Sequence, residues 1–441
     1  MKKLLLISPF FSDRVKKPTE KPFLIPPLNL PIVASLTPQD YEVVLVDENI
    51  EDTDFEQDVD LVGITAMTAQ APRAYRIADT WRKRGVRVVM GGIHPTAVPE
   101  EAAQHSDAVV IGEVENIWAQ VIKDAETNGL KKFYRSVERP CLKELPYPRL
   151  DLLRSDRYIV CNVIQVFRGC PFNCRFCSVT NFFGNTYRYK PVDDVVREVQ
   201  LRVGDTRKSR FFGFVDDNIG GLPSYAKELF TRLIPFHIIW GGQASLTIAR
   251  DRELMRIFER SGCKALFIGL ESASQAALHE SNKNFLKVSQ FKEAIKIIHD
   301  HGIGVEGAFI FGFDDDDHGV FERTVEFADR IGVDAAQFGI LTPFPGTAVW
   351  EKMVQEHRII SDDWARYTIG HVVFDPKKMS PERLQEGADW AWREFYSLRK
   401  IGKRFIRSLN YGLKLAVPIL IFQFAYRSLL KTRENSSKLD L

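Results

Sequence analysis

The sequence lacks the features that would indicate a disordered, fibrous or secreted protein. It contains no low-complexity segment and no short internal repeat. Its formal net charge is only +2, so no general attraction to nucleic acid is expected and none is predicted as a partner. The apolar run after Lys2 and Lys3 extends for only about eight residues and no small-residue cleavage site follows, so a buried first strand is favoured over a signal peptide. We expect a cytoplasmic protein.

Cysteine is scarce and unevenly distributed. The chain has 6 cysteines among 441 residues, enough for three disulfides in a secreted protein. However, Cys170, Cys174 and Cys177 lie so close together that their spacing suits a metal site better than disulfide bonds. The other three cysteines show no partner spacing.

The length and the apolar pattern predict an α/β protein with two domains. A chain of 441 residues is too long for one ordinary core. Near its start, short and almost continuous apolar runs alternate with amphipathic stretches, which is typical of strands buried on both faces of a parallel sheet. We predict a doubly wound, Rossmann-like domain over residues 1–130. Its predicted strands are Leu4–Ser8, Val43–Asp47, Leu61–Thr65, Val86–Met90 and Ala108–Ile111.

A second βα series is expected after a proline-containing linker at residues 131–157. It covers residues 158–347 and fits a partial, TIM-like (β/α)6 barrel better than a complete eightfold one. Residues 348–441 are predicted to form a mostly helical C-terminal extension. The predicted barrel strands lie at 158–167, 211–215, 238–241, 265–270, 305–311 and 335–340.

The C-terminal extension has a strongly apolar segment, Leu413–Tyr426. Lys414 and Pro418 interrupt it, and only about twelve residues separate Lys414 from Arg427, too few to span a bilayer. Basic residues surround the segment, which predicts peripheral contact between residues 399–433 and the inner face of a membrane. The alternative is a C-terminal helix that packs on the barrel.

The three clustered cysteines predict an iron–sulfur site. Cys170, Cys174 and Cys177 form a C-x-x-x-C-x-x-C pattern in the segment RGCPFNCRFCS, just after the first predicted barrel strand. Thiolates hold iron–sulfur clusters, and three of them leave one iron of a [4Fe–4S] cluster open to a substrate. A zinc site would require a fourth ligand, and no second cysteine or histidine pair follows.

With Phe176 before its last cysteine, this segment resembles the signature of the radical S-adenosylmethionine superfamily, and the resemblance covers about residues 160–346. In that family the methionine part of S-adenosylmethionine binds the open iron, and an electron from the cluster cleaves the molecule to a 5′-deoxyadenosyl radical. The resemblance therefore implies that the three cysteines are catalytic. It also implies an external electron donor such as flavodoxin or ferredoxin.

The same resemblance implies contacts to S-adenosylmethionine from side chains near the ends of barrel strands. A carboxylate such as Glu271, which ends an apolar run, would be costly to bury without partners. Asp217 and Asn218 are also compatible with a capping turn, and the acidic run at 314–317 with a solvated turn or helix cap. The implied contacts are Phe176, Asp216, Gln243, Ser245, Glu271 and Phe311.

The N-terminal domain resembles the cobalamin-binding domain of B12-dependent radical S-adenosylmethionine enzymes in its segments PPLNLPIVAS, GGIHPT and GEVE. Ligands of such sheets bind at the carboxyl ends of the strands, where small residues permit close approach. His94 is the one candidate cobalt ligand, although a histidine before Pro95 is also expected simply to shape the loop. A domain that only recognises substrate is the alternative. The implied cobalamin contacts are Ser8, Thr65, Gly91, Gly92, His94, Gly112 and Glu113.

Together these resemblances imply a cobalamin-dependent methyltransferase that acts on an unactivated carbon. Residues 371–397 resemble C-terminal extensions of hopanoid-methylating and BchE-like members, which implies a hydrophobic small-molecule substrate, lipid-like or polyketide. Cyclisation or ring rearrangement without methyl transfer is the alternative outcome. A non-catalytic iron–sulfur sensor is a more distant alternative.

Overall fold

The computed structural model describes residues 1–11, 24–143, 145–204 and 210–437, without the side chains at 414 and 429–437. The chain forms two compact units. The first comprises Met1–Gly213 together with Pro343–Glu356 and Ser361–Thr368. The second comprises Phe214–Thr342, His357–Ile360 and Ile369–Leu441. These units differ from the domain boundaries expected from the sequence.

The front part of the first unit is a parallel sheet with the strand order β2-β1-β3-β4-β5-β6. The order reverses between β1 and β3, so the crevice in which such folds bind ligands begins at the ends of these two strands, Ser8 and Thr65. The strands are β1 (Lys2–Ser8), β2 (Tyr41–Asp47), β3 (Leu61–Thr65), β4 (Arg87–Gly91), β5 (Ala108–Ile111) and β6 (Phe133–Arg135).

Helices cover both faces of this sheet, as the continuous apolar runs predicted. Leu5 and Ile7 of β1 pack in one core cluster with Trp81 of the second helix. Leu4 and Leu6, on the opposite face of β1, pack in another cluster with Trp118 of the fifth helix. The doubly wound arrangement is therefore confirmed. The helices are α1 (Asn29–Leu36), α2 (Ala71–Lys83), α3 (Ile93–Ala97), α4 (Pro99–His105) and α5 (Trp118–Glu126).

Strand β6 lies inside the segment that was predicted as a linker. It pairs in parallel with β5, and its central residue, Tyr134, is buried and donates a hydrogen bond of 2.8 Å to Asp124. The strand has only three residues, and its first and last residues are exposed, so the sequence carries almost no periodic signal for it. The front sheet thus extends beyond residue 130.

The remainder of the first unit contains the segment with the clustered cysteines. Its short strands β8 and β9 pair antiparallel and enclose that segment, and a helix from the C-terminal half of the chain belongs to the same unit. The elements are β7 (Asn162–Ile164), β8 (Phe167–Arg168), α6 (Ser178–Phe183), β9 (Arg188–Tyr189), α7 (Val192–Gly204), β10 (Phe211–Phe214) and, later in the chain, α13 (Ala348–Gln355).

The second unit is built on parallel strands in the order β14-β13-β12-β11, with helices between them in sequence. Trp240 of β11 stacks on Phe230 with ring centroids 4.3 Å apart. All the strands predicted for residues 158–347 are present. The elements are α8 (Pro223–Leu233), β11 (Ile239–Ala244), α9 (Arg252–Arg260), β12 (Cys263–Glu271), α10 (Gln275–Glu280), α11 (Phe291–Asp300), β13 (Gly304–Phe311), α12 (Val320–Ile331) and β14 (Ala335–Ile340).

The C-terminal extension is helical, as predicted, and consists of α14 (Pro381–Phe395), α15 (Leu398–Ser408) and α16 (Leu413–Ser437). It covers the free edge of β14, because the hydroxyl of Tyr396 accepts from Ala336 N at 3.1 Å and donates to Ala336 O at 2.9 Å. Trp392 Nε1 donates to Phe338 O at 2.6 Å. Within the part of the chain that the structure describes, no helix has both the length and the apolar character needed to cross a bilayer.

Candidate active site

The three clustered cysteines lie on one loop whose ends are joined by β8 and β9. Phe167 pairs with Tyr189, and Arg168 pairs with Arg188. Cys170, Cys174 and Cys177 are each partly exposed, so a small molecule can reach them. The loop is folded on itself, because Cys177 N donates to Cys174 O at 3.1 Å and Cys170 N donates to Gly184 O at 3.1 Å.

Gly169 allows the loop to close so tightly. Its φ is +83°, and a Cβ at this position would lie 2.3 Å from Thr186 O and 2.9 Å from Gly184 O. Both the left-handed conformation and these contacts exclude any other residue type. The glycine that precedes Cys170 is therefore part of the structure that presents the cysteines.

The donor set of this loop fits a [4Fe–4S] cluster. Three partly exposed thiols from one short segment are the usual protein contribution to such a cluster with one open iron. Among the described residues, no three His, Cys, Asp or Glu side chains are close enough to share a single metal ion. A cluster does not need such a group, because each ligated iron takes its own thiolate. Phe176 is partly buried between Cys174 and Cys177.

Most of the predicted cobalamin residues meet at the carboxyl edge of the front sheet. Ser8 ends β1, while Thr65 ends β3 and pairs with Gly91 of β4. Gly92 has φ +101°, and a Cβ there would lie 2.8 Å from Ala66 O and 2.9 Å from Thr65 Oγ1. Gly112 follows β5, and a Cβ added to it would meet open space. This edge has small residues and hydroxyl groups where a flat macrocycle would approach, so it fits cobalamin.

His94 is turned into the protein rather than toward that open edge. It is fully buried, its Nε2 lies 3.0 Å from the Tyr75 hydroxyl, and the ring of Trp364 meets it edge-on at 5.2 Å. Its Nδ1 is buried without a hydrogen-bond partner among the described residues. The nearby Glu101 has its pKa lowered, mainly by its interaction with His94, whose Nε2 lies 3.7 Å away. These contacts favour a role in shaping the loop over cobalt ligation.

Glu113, one of the predicted cobalamin contacts, has its carboxylate engaged by two arginines. Its Oε1 accepts a hydrogen bond of 2.6 Å from Arg168 Nη1, and its Oε2 accepts one of 2.6 Å from Arg188 Nη2. The side chain is therefore engaged with the ends of the cysteine loop. Sequence reasoning missed both arginines, although each lies close to the cysteine segment and carries a charge that needs a partner when buried.

In the second unit, two of the predicted S-adenosylmethionine contacts lie near the end of β11. Gln243 is exposed and available to a ligand. The hydroxyl of Ser245 instead accepts from Thr247 N at 3.4 Å and caps the turn that follows. Asn218 Oδ1 accepts from Ser245 N at 2.9 Å, so Asn218 organises the same turn. Asp216, two residues before Asn218, is completely buried.

Glu271 occupies a strained position at the end of β12. It follows a β-bulge, and its φ of +61° costs on the order of 1–2 kcal/mol for a residue with a Cβ. The carboxylate is buried and forms an ion pair with Lys283, whose Nζ also donates to Gly269 O at 3.1 Å. The partner that the sequence argument required for this carboxylate is thus Lys283, which it did not identify.

The side chain of Phe311 is fully buried and packs as part of the core. Its ring stacks on Phe338 with centroids 5.9 Å apart and contacts Phe321 edge-on at 5.0 Å. Only its backbone is left for a contact with adenine. The contact of Phe311 with S-adenosylmethionine was implied by the family resemblance and stays a prediction.

The acidic run at 314–317 is less solvated than expected. Asp316 is buried and accepts from Gly312 N at 2.8 Å and from Phe313 N at 3.1 Å, so it caps the turn. Burial raises the pKa of Asp316 to about 6. Asp314 forms an ion pair of 2.9 Å with Arg358. The capping alternative is therefore confirmed for Asp316, while Asp315 and Asp317 are exposed, as expected for a solvated turn.

Comparison with known proteins identifies the family. Residues 164–328 match the family model of the radical SAM superfamily, and residues 20–122 match that of the B12 binding domain. The chain is 33% identical to bacteriochlorophyllide d C-12(1)-methyltransferase of Chlorobaculum tepidum over 91% of this chain and 89% of that protein. This chain belongs to the cobalamin-dependent radical S-adenosylmethionine methyltransferases.

Two further comparisons agree with that assignment. The methyltransferase is 31% identical to bacteriochlorophyllide d C-8(2)-methyltransferase of the same organism, over 93% of this chain and 94% of the relative. Its fold matches the cobalamin-dependent S-adenosylmethionine radical enzyme OxsB with a TM-score of 0.68 at 16% identity, over 96% of this chain and 72% of OxsB. The predicted cofactors, a [4Fe–4S] cluster, S-adenosylmethionine and cobalamin, are those of the family.

Proposed function

We propose that this methyltransferase transfers a methyl group to an unactivated carbon of a hydrophobic small molecule. One observation carries the proposal: the cysteine loop and the open edge of the front sheet belong to one compact unit and are joined through Glu113 and Arg168. When bound, the cluster and S-adenosylmethionine supply a radical that removes a hydrogen atom, and cobalamin supplies the methyl group. The protein itself binds and orients these groups and excludes water.

The residues divide this work as follows in our proposal. The thiolates of Cys170, Cys174 and Cys177 hold the cluster, while the small residues at the ends of β3, β4 and β5 accommodate the cobalamin macrocycle. In the second unit, Gln243 and Glu271 contribute contacts to S-adenosylmethionine. The strained backbone of Glu271 supports this assignment, because such conformations are concentrated at functional sites.

The relatives suggest which hydrophobic substrate to test first. Both of the Chlorobaculum tepidum proteins described above are named for methylation of bacteriochlorophyllide d. A tetrapyrrole of this kind agrees with the expected hydrophobic character of the substrate, although it is neither a lipid nor a polyketide. We therefore propose a tetrapyrrole carboxylic acid as the first substrate class to test, with lipids and polyketides as the other classes.

The experiment is anaerobic reconstitution with iron, sulfide and hydroxocobalamin, followed by incubation with S-adenosylmethionine, a reductant and bacteriochlorophyllide d or a lipid extract. We expect S-adenosylhomocysteine, 5′-deoxyadenosine and a product that is larger by one CH2 unit. A product without an added carbon, formed together with 5′-deoxyadenosine alone, would show cyclisation or rearrangement instead. Flavodoxin or ferredoxin, the proposed electron donors, are compared with a chemical reductant in the same assay.

We also propose peripheral membrane contact through residues 399–433. Leu413, Val417 and Ile421 are four residues apart on α16, so they lie on one face of the helix. Near the end of α15, Ile406 is 68% exposed as well. The exposed apolar side chains of this region are Leu398, Ile406, Leu409, Leu413, Val417, Ile421, Phe422 and Phe424.

Fewer basic residues are available there than the sequence suggested. Lys400 and Arg404 both bind Asp329, and Arg407 donates to backbone carbonyl groups. Arg399 and Lys403 are exposed and free to meet a negatively charged surface. The side chains of the basic residues at 414, 431 and 433 lie outside the described residues. Insertion of apolar side chains would therefore contribute more to binding than charge.

Sedimentation with vesicles of phosphatidylglycerol and phosphatidylcholine tests this contact. The full chain is expected to sediment with the vesicles, and the double variant Val417→Ser/Ile421→Ser to remain in the supernatant. The control variant Ile360→Ser removes an apolar side chain that is 51% exposed elsewhere in the same unit and should bind as the wild type does. Equal binding by the double variant would exclude this face as the contact.

A further inference from the structure

The two ends of the cysteine loop carry arginines that lie directly opposite each other. Arg168 of β8 and Arg188 of β9 are partners in an antiparallel pair that extends over only two residues on each strand. A pair of strands this short is not stable alone, and like charges at opposed positions repel each other. The guanidinium of Arg168 is also largely removed from water, since the residue is only 6% exposed.

One carboxylate binds both arginines. Glu113 binds Arg168 through Oε1 and Arg188 through Oε2, at 2.6 Å in each case, and is itself 7% exposed. Glu115 provides a second ion pair to Arg168 at 2.5 Å. Arg188 has no second carboxylate among the contacts in the described part of the chain, so Glu113 is the one acidic group seen to bridge the two strands.

Further bonds extend this arrangement to the far end of the loop. Arg188 donates to Phe183 O at 3.1 Å and to Pro140 O at 2.8 Å. Arg139, which lies 3.7 Å from Glu113, donates to Phe182 O at 2.6 Å. The helix that follows the last cysteine is therefore held by the same group of charges as the strands that enclose the loop.

Glu113 lies at the predicted cobalamin-binding edge of the front sheet. It directly follows Gly112, which lies after β5 and next to open space. We propose that Glu113 is a positioning residue that fixes the cysteine loop against the cobalamin-binding edge of the sheet. This inference rests on the proposed function in one respect: the two cofactors must act in sequence on one substrate. Loss of Glu113 would then separate cleavage of S-adenosylmethionine from methyl transfer.

The main variant is Glu113→Gln, which keeps the size of the side chain and removes its charge. In the protein without cofactors, hydrogen exchange of the amides at 167–189 is expected to increase by about tenfold, with little change in the front sheet. The control Glu138→Gln removes an exposed carboxylate in the same unit and should exchange as the wild type does. Wild-type exchange at 167–189 in Glu113→Gln would overturn the proposal.

The reconstituted protein provides the second measurement. Glu113→Gln is expected to retain bound iron and hydroxocobalamin, to show an altered spin-resonance signal of the reduced cluster with S-adenosylmethionine, and to release about tenfold more 5′-deoxyadenosine per methylated product. An unchanged ratio would overturn the positioning role. If the wild-type protein forms no cluster or product, the proposed function fails, while the exchange measurement still decides what Glu113 does to the loop.

A double variant addresses the case in which Glu113→Gln folds poorly. In Glu113→Gln/Arg188→Gln the opposed charge is removed together with its partner, so loop exchange should return toward the wild-type rate. Arg188→Gln alone measures the loss of the other bonds of this arginine. If the effects of the two substitutions simply add, Glu113 and Arg188 do not act on the loop as a pair, and the proposal is wrong.

Discussion

Trp364 and Glu101 are 263 positions apart in the sequence, and the Trp364 indole Nε1 donates a hydrogen bond of 2.9 Å to Glu101 Oε1. The same carboxylate lies 3.7 Å from His94 Nε2. The segment around Trp364 therefore supports the loop after β4, which carries Gly92, one of the predicted cobalamin contacts. Another part of this segment reaches the cysteine loop, where Val349 N donates to Arg175 O at 3.1 Å.

Trp364→Phe should weaken this support without emptying the space. The variant keeps an aromatic ring against His94 and removes the hydrogen bond, which is worth about 1–3 kcal/mol when the acceptor is charged. We expect a lower midpoint of urea denaturation and a weaker affinity for hydroxocobalamin. The control is Trp350→Phe. It keeps an aromatic ring at the position 5.7 Å from the Trp364 ring and leaves the hydrogen bond from Trp364 to Glu101 in place. Equal effects of the two variants would contradict the assignment.

Cys174→Ala should abolish cleavage of S-adenosylmethionine. Two thiolates cannot hold a [4Fe–4S] cluster with the geometry that three provide, whereas the front sheet does not depend on this side chain and should still bind hydroxocobalamin. Cys141→Ala, at an exposed cysteine outside the loop, is the control and should retain both properties. The measurements are iron content, 5′-deoxyadenosine release and the absorption of bound cobalamin. Cleavage by Cys174→Ala at the wild-type rate would refute the cluster assignment.

Gly92→Ala should prevent cobalamin binding. Both Gly92 and Gly85 have positive φ, +101° and +81°, but only at Gly92 would a Cβ meet backbone atoms closer than 3.0 Å. Gly85→Ala should therefore cost about 1–2 kcal/mol of stability for the left-handed backbone alone. Gly92→Ala should cost more, because the loop after β4 must also move. Spectroscopic titration with hydroxocobalamin compares them, and equal affinity in both variants would contradict the assigned edge.

Glu271→Gln should weaken S-adenosylmethionine binding and destabilise the second unit. The substitution removes the negative charge that compensates Lys283, whose side chain is only 14% exposed, at an expected cost of about 1–3 kcal/mol. Glu259→Gln is a matched control. Glu259 pairs with His301 but is itself 50% exposed, and ion pairs of exposed carboxylates contribute little to stability. Calorimetric titration and urea denaturation measure the two effects. A variant with wild-type affinity would remove Glu271 from the proposed site.

Asp316 should make the second unit less stable as the pH rises. Because burial raises its pKa from 3.8 to about 6, the folded protein holds a proton that the unfolded chain has released. The contribution of this group is complete below about pH 4 and is lost as the pH rises through about 6. Asp316→Asn can still accept the backbone hydrogen bonds and should lack this component. Urea denaturation across the range measures it, and identical pH dependence of both proteins would contradict it.

The sequence predicted those features that depend on residues close together in the chain. Strands β3 and β5 have the predicted bounds, because each is a short apolar run buried on both faces. The three cysteines could be assigned together, since all of them come from one loop. The short strand β6 had no such signal, and it exists because β5 offers an edge to pair with.

Long-range partners account for what the sequence did not reveal. Nothing in the pattern around Glu113 shows that its carboxylate binds Arg168 and Arg188. Lys283, the partner of Glu271, is likewise separated from it by a helix. The resemblance implied a ligand contact for Phe311, but it could not show that the ring packs against Phe338.

The Tyr396 hydroxyl, which bonds to both polar groups of Ala336, has a consequence for how the protein behaves at high concentration. The outermost strand of a sheet is the place where a second molecule can add a strand of its own, and this is how many proteins begin to aggregate. Here the Tyr396 hydroxyl occupies the backbone N–H and C=O of Ala336 that a new strand would bind. The indole N–H of Trp392 donates to the carbonyl of Phe338, two residues further along the strand. Self-association by strand addition is therefore blocked at the β14 edge by side chains of the C-terminal helices, and β14 itself needs no charged residue, proline or bulge for this purpose.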